Sequence, residues 1–170
     1  MRRWNGWGDD QVDYPLHASA GRYLVEQVGP GAVPKETSLA ELVKQVSTSR
    51  LKPHPLISTD PALRLFHARG QSFPDWVALR SGRLDCFSDG VAFPISDEQV
   101  RELIQFAQQT GARLIPYGGG TSVVGHINPL PGDAPVLTVD LGRMNQLRRF
   151  DETSLLATFG AGITGPDLDA

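Results

Sequence analysis

The stretch Pro116–Val123, which reads PYGGGTSV, decides how this chain folds. Three consecutive glycines follow Arg113–Pro116, whose composition favours a short strand. Because glycine carries no side chain, backbone N–H groups at such a turn can converge on an anion without obstruction. Pro116 restricts the backbone where it leaves the strand, and two hydroxyl side chains follow the glycines. The stretch therefore predicts a strand that ends in a phosphate-binding loop.

The sequence on either side of this loop favours alternating strands and helices. Val91–Phe93 predicts a short buried strand. Ser96–Gln99 has the spacing of a capping box, apolar residues then recur every three or four positions, and Gly111 ends the helix. Val136–Asp140 and Leu155–Phe159 predict two further strands. The first two strands and their helix form a β-α-β unit, which favours parallel pairing and a right-handed crossover.

Residues 1–86 are irregular, because prolines interrupt every long pattern. Ser38–Glu41 has the spacing of a capping box, and Leu39–Ser47 predicts one short amphipathic helix. Pro61–Phe66 predicts a second, weaker helix. Packing against the core, rather than contact with a cofactor, is the expected role of the three tryptophans, Trp4, Trp7 and Trp76.

Composition excludes several classes of function. The 170 residues contain 16 Lys and Arg against 19 Asp and Glu, for a net charge of -3, whereas a nucleic-acid-binding chain would carry a clustered basic face. The single cysteine, Cys86, excludes an intrachain disulfide framework and a multi-cysteine metal site. We interpret Cys86 as a small buried apolar group.

The two ends of the chain bear on its location and extent. Residues 1–10 are basic at the start but lack the apolar stretch of a signal peptide, and no segment is apolar for long enough to span a membrane. We therefore expect a cytoplasmic protein. Gly165–Leu168 predicts the start of a helix, yet the chain stops at Ala170. This predicts the N-terminal fragment of a longer protein.

Two other phosphate-binding motifs compete with the triple glycine. Gly120–Gly125 has the glycine spacing of a nucleoside-triphosphate P-loop, but His126 stands where that motif requires lysine. Gly160–Gly165 reads Gly-x-Gly-x-x-Gly after a strand, as in a Rossmann fingerprint, although the position of its confirming acidic residue, about 20 residues later, falls after Ala170 and cannot be checked. A plain tight turn without a ligand also remains open for the triple glycine.

Several segments together resemble the FAD-binding domain of the vanillyl-alcohol oxidase/p-cresol methylhydroxylase (PCMH) superfamily. Near the N-terminus the run RWNGWG and the stretch up to Pro94 narrow the resemblance to the alkyldihydroxyacetonephosphate synthase group and its bacterial FAD-linked oxidase relatives. The segments that carry the resemblance are Arg3–Gly8, Arg69–Pro94, Phe93–Val100, Leu114–Val123, Met144–Asn145 and Gly160–Gly165.

The resemblance implies an α+β fold. Residues 87–170 would form the first subdomain of a truncated PCMH-type FAD-binding domain, and residues 1–86 an irregular helical N-terminal segment. The glycine loop would wrap the FAD pyrophosphate. Some relatives attach FAD through a histidine just after the Gly-Gly pair, where this chain has Thr121, so we expect non-covalent FAD. The residues implied in cofactor binding are Pro116, Tyr117, Gly118, Gly119, Gly120, Thr121 and Ser122.

For function, the resemblance implies a flavoenzyme that exchanges an acyl for an alkyl chain on dihydroxyacetone phosphate in ether-lipid synthesis. An FAD-linked oxidase or 2-hydroxy-acid dehydrogenase on the same scaffold is the alternative, and a non-catalytic flavin-binding module is a third. The expected partners are FAD, a small-molecule or lipid-like substrate of the full-length protein and, as one option, a second copy in a homodimer. We predict no catalytic residue and no metal ligand in this chain. His126 reads as a surface histidine, and His67 and Arg69 receive no role.

Overall fold

The computed structural model describes residues 3–32 and 36–169. Its helices are α1 Ala18–Val28, α2 Leu39–Val43, α3 Pro61–Phe66, α4 Phe73–Ser81, α5 Asp97–Thr110 and α6 Gly165–Asp169. Its strands are β1 Ile57–Ser58, β2 Gly90–Ala92, β3 Arg113–Tyr117, β4 Val136–Asp140, β5 Leu147–Asp151 and β6 Leu156–Phe159. The predicted strands, the long helix and the helix at Pro61–Phe66 are thus confirmed, with shifts of one residue at some ends.

A four-stranded sheet carries the glycine loop, in the order β1-β2-β4-β3. β4 runs parallel to both β2 and β3, and β1 pairs antiparallel with β2. The predicted parallel arrangement is correct, but β2 and β3 do not pair directly because β4 lies between them. β4 lies inside the sheet, and its residues Val136–Val139 are accordingly all buried, as is usual for parallel strands. Pro116 fits β3 because that strand is at the edge, where a missing N–H costs little.

Helix α5 covers the sheet and forms the core of this half. Ser96 caps its N-terminus by accepting a hydrogen bond from the Gln99 N–H, and Gly111 ends it with φ 71°. The Gln99 side chain accepts from the Ile95 N–H at 2.9 Å, one residue earlier than a standard capping box. The buried residues of this core are Ala92, Leu103, Leu137 and Val139.

The first half of the chain has a second core, built by the short helices α2, α3 and α4. The capping box at Ser38 and Glu41 is present, but the helix ends at Val43, so the prediction of Leu39–Ser47 was too long. Val46 still packs against this core, although its N–H bonds to the Val43 carbonyl three residues back, as in a tight turn. The helical spacing of apolar residues thus continues beyond the end of the helix. The buried residues here are Leu42, Leu65, Ala68, Leu79, Leu84 and Phe87.

Four elements were not anticipated, and one residue differs from its interpretation. Helices α1 and α4, strand β1, and strand β5, which pairs antiparallel with β6, were not predicted. Cys86 is only partly buried, so the interpretation of it as a small buried apolar group was wrong in its degree of burial. None of the described helices combines the length and apolar character needed to cross a membrane.

A buried carboxylate joins the first half of the chain to the sheet. Asp89, 2% exposed, accepts hydrogen bonds from the Arg50 guanidinium at 2.8 and 2.9 Å and from the backbone N–H groups of Arg50 and Val136. Burial by itself would raise the pKa of Asp89, but these hydrogen bonds outweigh it and hold the pKa below its ordinary value. Asp89 therefore stabilises the fold as an anion.

We expect Asp89→Asn to lower the free energy of unfolding at pH 7 by about 2 kcal/mol, because hydrogen bonds to a charged group are lost. Since the folded pKa is depressed, this stabilisation is present above the ordinary pKa of 3.8 and is lost as the pH falls through the lower folded pKa. Urea unfolding of both proteins at pH 7 and at pH 3 measures the effect. An equal difference at the two pH values would contradict the role of the charge.

Candidate functional site

The glycine loop begins where β3 ends, and buried side chains hold that point. Tyr117 is 3% exposed, its carbonyl accepts from the Leu141 N–H at 2.9 Å, and its hydroxyl donates to the Phe66 carbonyl at 3.4 Å. The ring of Tyr117 lies 4.5 Å from that of His67. The loop therefore leaves the sheet from a fixed position.

His67 supports the same point from below the loop. Its Nδ1 lies 2.7 Å from the Leu63 carbonyl oxygen, and its Nε2 lies 2.9 Å from Oδ2 of Asp140. These two contacts, one to a backbone carbonyl and one to a carboxylate, hold the imidazole ring from both sides. Because Asp140 pairs with Tyr117 across β4 and β3, His67 helps to fix the end of β3. Sequence reasoning left this residue without a role.

The three glycines of the loop differ in what the fold demands of them. Gly120 has φ 67°, in the left-handed region where other residues are strained. By contrast, a Cβ added at Gly118 would meet no atom within 4 Å, and one added at Gly119 would meet only Cγ2 of Thr121 at 3.7 Å. Neither of these two has a φ in the left-handed region. The left-handed turn explains why residue 120 is a glycine, whereas packing does not explain why residues 118 and 119 are glycines.

The far side of the loop is attached to the segment between α3 and α4. The Ser122 carbonyl accepts from the Gln71 N–H at 2.6 Å, and a Cβ at Gly70 would clash with that carbonyl. Asn128 accepts from the Gly70 N–H at 3.1 Å and donates to Oδ1 of Asp75 at 2.6 Å. Sequence reasoning missed Gly70, Gln71, Asp75 and Asn128, although Gly70 follows His67 and Arg69 in a stretch that had been noted.

Arg69 has a structural role in the same stretch. Its guanidinium donates to the carbonyl oxygens of Ala68 and Cys86, at 2.7 and 3.2 Å. Burial lowers the pKa of Arg69.

His126 lies exposed in the loop, as predicted, with Nδ1 3.4 Å from Oγ of Ser122.

A cavity of about 450 Å³ opens beside the glycine loop. Gly119, Thr121 and Val123 line one side, and residues from the N-terminal turn line another. All of its lining residues are uncharged, so any anion here would be held by neutral donors. The lining consists of Gly6, Trp7, Gly8, Gln71, Gly119, Thr121 and Val123.

The cavity includes Trp7, for which the prediction of a packing role was wrong in part. Trp4 packs against the first core, as predicted, and Trp76 is half-buried. Trp7 touches Trp76, with ring centroids 4.0 Å apart, but remains 66% exposed.

The rival motif at Gly160–Gly165 has a structural explanation. Gly160 and Gly162 are buried, and a Cβ at either would overlap a backbone carbonyl, of Met144 and of Leu141 respectively. The strand before the motif is β6, which belongs to a two-stranded antiparallel sheet rather than to a parallel one. These glycines permit close backbone packing, and the Rossmann interpretation does not apply.

Comparison with known proteins agrees with this geometry. Residues 88–170 match the family described as FAD binding domain. The resemblance inferred from the glycine loop and its neighbouring motifs is thereby confirmed.

Similar proteins cover almost the whole chain. Alkyldihydroxyacetonephosphate synthases of Dictyostelium discoideum and Trypanosoma brucei brucei are 26% and 28% identical over 98% of this chain and 33% of their own length. A putative mitochondrial D-lactate dehydrogenase of Schizosaccharomyces pombe is 32% identical over 76% of the chain and 24% of its own length. This chain thus spans about a third of the synthases that it matches.

A solved alkyldihydroxyacetonephosphate synthase has the same fold. It superimposes with a TM-score of 0.77 at 24% identity, over 98% of this chain and 37% of the solved one. The expected α+β fold of a PCMH-type FAD-binding domain is confirmed. The family relatives also support FAD as the cofactor of this domain.

Proposed function

We propose that the glycine loop holds the pyrophosphate of FAD without a covalent bond. One observation carries this proposal: Gly118 and Gly119 lack side chains where the protein's own packing has room for them. A diphosphate that approaches the backbone closely requires such bare positions. The residues assigned to FAD are Pro116, Tyr117, Gly118, Gly119, Gly120, Thr121 and Ser122.

Within this site the residues have different tasks. Tyr117 and Pro116 set the direction in which the loop leaves β3, and Gly120 makes its left-handed turn. Thr121 contributes a hydroxyl group at the cavity wall and no nucleophilic nitrogen that could attach a flavin. When bound, FAD supplies the isoalloxazine ring, which accepts electrons from a substrate. We assign no catalytic residue to this chain; its part is to bind and orient.

The activity that we propose is that of the alkyldihydroxyacetonephosphate synthases: exchange of an acyl for an alkyl chain on dihydroxyacetone phosphate. Similarity over 98% of the chain, which extends well beyond the FAD-binding family match at residues 88–170, supports this choice. We assign residues 1–86 to an N-terminal segment and residues 87–170 to the FAD-binding domain.

A second candidate is an FAD-linked 2-hydroxy-acid dehydrogenase. It is favoured by the 32% identity with a putative D-lactate dehydrogenase. The two activities separate in one comparison on the intact protein. Conversion of acyl-dihydroxyacetone phosphate and a labelled fatty alcohol to labelled alkyl-dihydroxyacetone phosphate, with release of the fatty acid, supports the synthase. Anaerobic bleaching of the flavin by D-lactate supports the dehydrogenase. If a flavin-loaded protein carries out neither reaction, this result favours a non-catalytic flavin-binding module.

Titration of the intact protein, stripped of flavin, with FAD tests the binding proposal. We expect one equivalent of FAD to bind and to be recovered in the supernatant after acid precipitation, because no covalent bond holds it. Flavin that stays in the pellet would contradict the non-covalent assignment. A protein that is folded by circular dichroism and takes up no FAD would contradict the proposed function itself.

A further inference from the structure

Trp7 is a large aromatic side chain that the fold leaves uncovered. It is 66% exposed, although it follows Gly6, which is buried. Scattered exposed apolar residues are common, but an exposed ring at the wall of a cavity is typical of a ligand contact. The contacts around Trp7 decide whether its ring is held in this position by the fold.

The backbone around Trp7 is fixed by hydrogen bonds on both sides. The Arg3 N–H donates to the Gly8 carbonyl at 2.9 Å, and the Arg3 guanidinium donates to the Val12 carbonyl at 2.6 Å. The Arg80 guanidinium of helix α4 donates to the Asn5 carbonyl at 3.1 Å. Gly8 has φ 79°, which completes a turn that other residues would strain. The exposed ring is therefore presented by a rigid turn.

Contacts link this turn to the glycine loop. Trp7 meets Trp76 edge to face. The Trp76 indole N–H donates to Oε1 of Gln71 at 3.3 Å, and the Gln71 backbone N–H donates to the Ser122 carbonyl. Trp7, Gln71 and Gly119 then border the same cavity. Residues more than one hundred positions apart in sequence thus border one space.

We propose that Trp7 is a cofactor-contacting residue: its indole forms an aromatic wall of the FAD site that Gly119 also borders. This inference rests on the proposed function of the glycine loop and extends the site to the N-terminal turn. An aromatic face offers an uncharged, planar surface to a planar or apolar part of the dinucleotide, while the loop offers backbone donors to its phosphates. It also gives the glycine-rich run Asn5–Gly8 a functional reason.

Affinity measurements on the intact protein test this proposal. We expect Trp7→Ala to weaken FAD binding about tenfold, as loss of an aromatic stacking surface does in other sites, and Trp7→Phe to retain most of the affinity. Tyr23→Ala is the matched control, because Tyr23 is also an aromatic residue, 60% exposed, but lies on helix α1 outside the cavity. Unchanged FAD affinity in folded Trp7→Ala would overturn the proposal.

A second measurement needs no variant and so does not depend on folding of a mutant. Hydroxyl-radical footprinting of the wild-type protein compares oxidation of individual side chains with and without FAD. Oxidation of Trp7 should fall several-fold when FAD binds, and oxidation of Tyr23 should not change. Equal oxidation of Trp7 in both states would overturn the proposal.

The outcomes separate this inference from the function on which it rests. One outcome is that Gly119→Val loses FAD while FAD does not reduce the oxidation of Trp7 and Trp7→Ala keeps its FAD affinity. In that case the loop binds the cofactor and only the role of Trp7 is wrong. If Gly119→Val retains FAD, the loop assignment fails whatever Trp7 does.

Discussion

Gly119→Val in the intact protein is expected to purify without flavin. Its affinity for FAD should be lower by on the order of 100-fold, because a branched side chain fills the space that the diphosphate needs beside the backbone. The protein's own packing leaves room for a Cβ at this position: the nearest atom to a Cβ at Gly119 is at an ordinary contact distance of 3.7 Å. Flavin absorbance relative to protein after purification, followed by titration with FAD, measures the loss.

Gly31→Val provides a matched control for this variant. Gly31 lies in the loop after α1, a Cβ there meets no atom within 4 Å, and its φ is not in the left-handed region. The control therefore makes the same change in an equally open position away from the cavity, and it should keep its flavin. Gly119→Ala, with one added carbon, should lose affinity to a smaller extent than valine. A Gly119→Val protein fully loaded with FAD would mean that the pyrophosphate binds elsewhere.

The sequence predicted those elements whose signals are local. The caps at Ser96 and Gly111 bracket α5, and the apolar run Val136–Val139 marks a strand that is buried in a parallel arrangement. Where the signal was misread, the reason is also local. Pro74 seemed to interrupt the chain, but it lies in the first turn of α4, where proline is tolerated, behind a capping box formed by Ser72 and Asp75.

Long-range contacts could not be predicted in this way. The bonds from Asn128 to Gly70 and Asp75 join residues more than fifty positions apart, and no local pattern marks them. Insertion of β4 between β2 and β3 is equally non-local. Exposure of Trp7 depends on the turn that Arg3 and Arg80 fix, whereas composition alone favours a buried tryptophan.

The glycines at positions 118 and 119 and those at positions 160 and 162 therefore form two groups that sequence alone does not distinguish. At Gly118 and Gly119 an added Cβ meets open space or an ordinary contact, so we expect substitution there to reduce ligand affinity rather than stability. At Gly160 and Gly162 an added Cβ overlaps backbone, so we expect substitution there to reduce the stability of the fold. Stability and cofactor affinity measured on the same variants distinguish the two groups.

Gly162→Ala is accordingly expected to destabilise the protein by about 3 kcal/mol, a decrease in the midpoint of thermal unfolding of about 10 °C. The added Cβ would overlap the Leu141 carbonyl and crowd Gly142, and backbone cannot move aside as the end of a flexible side chain can. The same approach places the Gly162 N–H 3.0 Å from the Met144 carbonyl, so a shift that relieves the overlap also breaks this bond. Thermal or urea unfolding of the flavin-free protein measures the effect.

Gly165→Ala is the control within the same motif. Gly165 begins helix α6, and a Cβ there meets no atom within 4 Å, so alanine should leave stability within about 0.5 kcal/mol of the wild type. If Gly160–Gly165 were instead a nucleotide-binding fingerprint, its second glycine, Gly162, would let the backbone approach the pyrophosphate, and Gly162→Ala would weaken cofactor binding. Wild-type stability together with reduced FAD affinity in Gly162→Ala would reverse our assignment of the two glycine clusters, because the ligand rather than the fold would then require the second one.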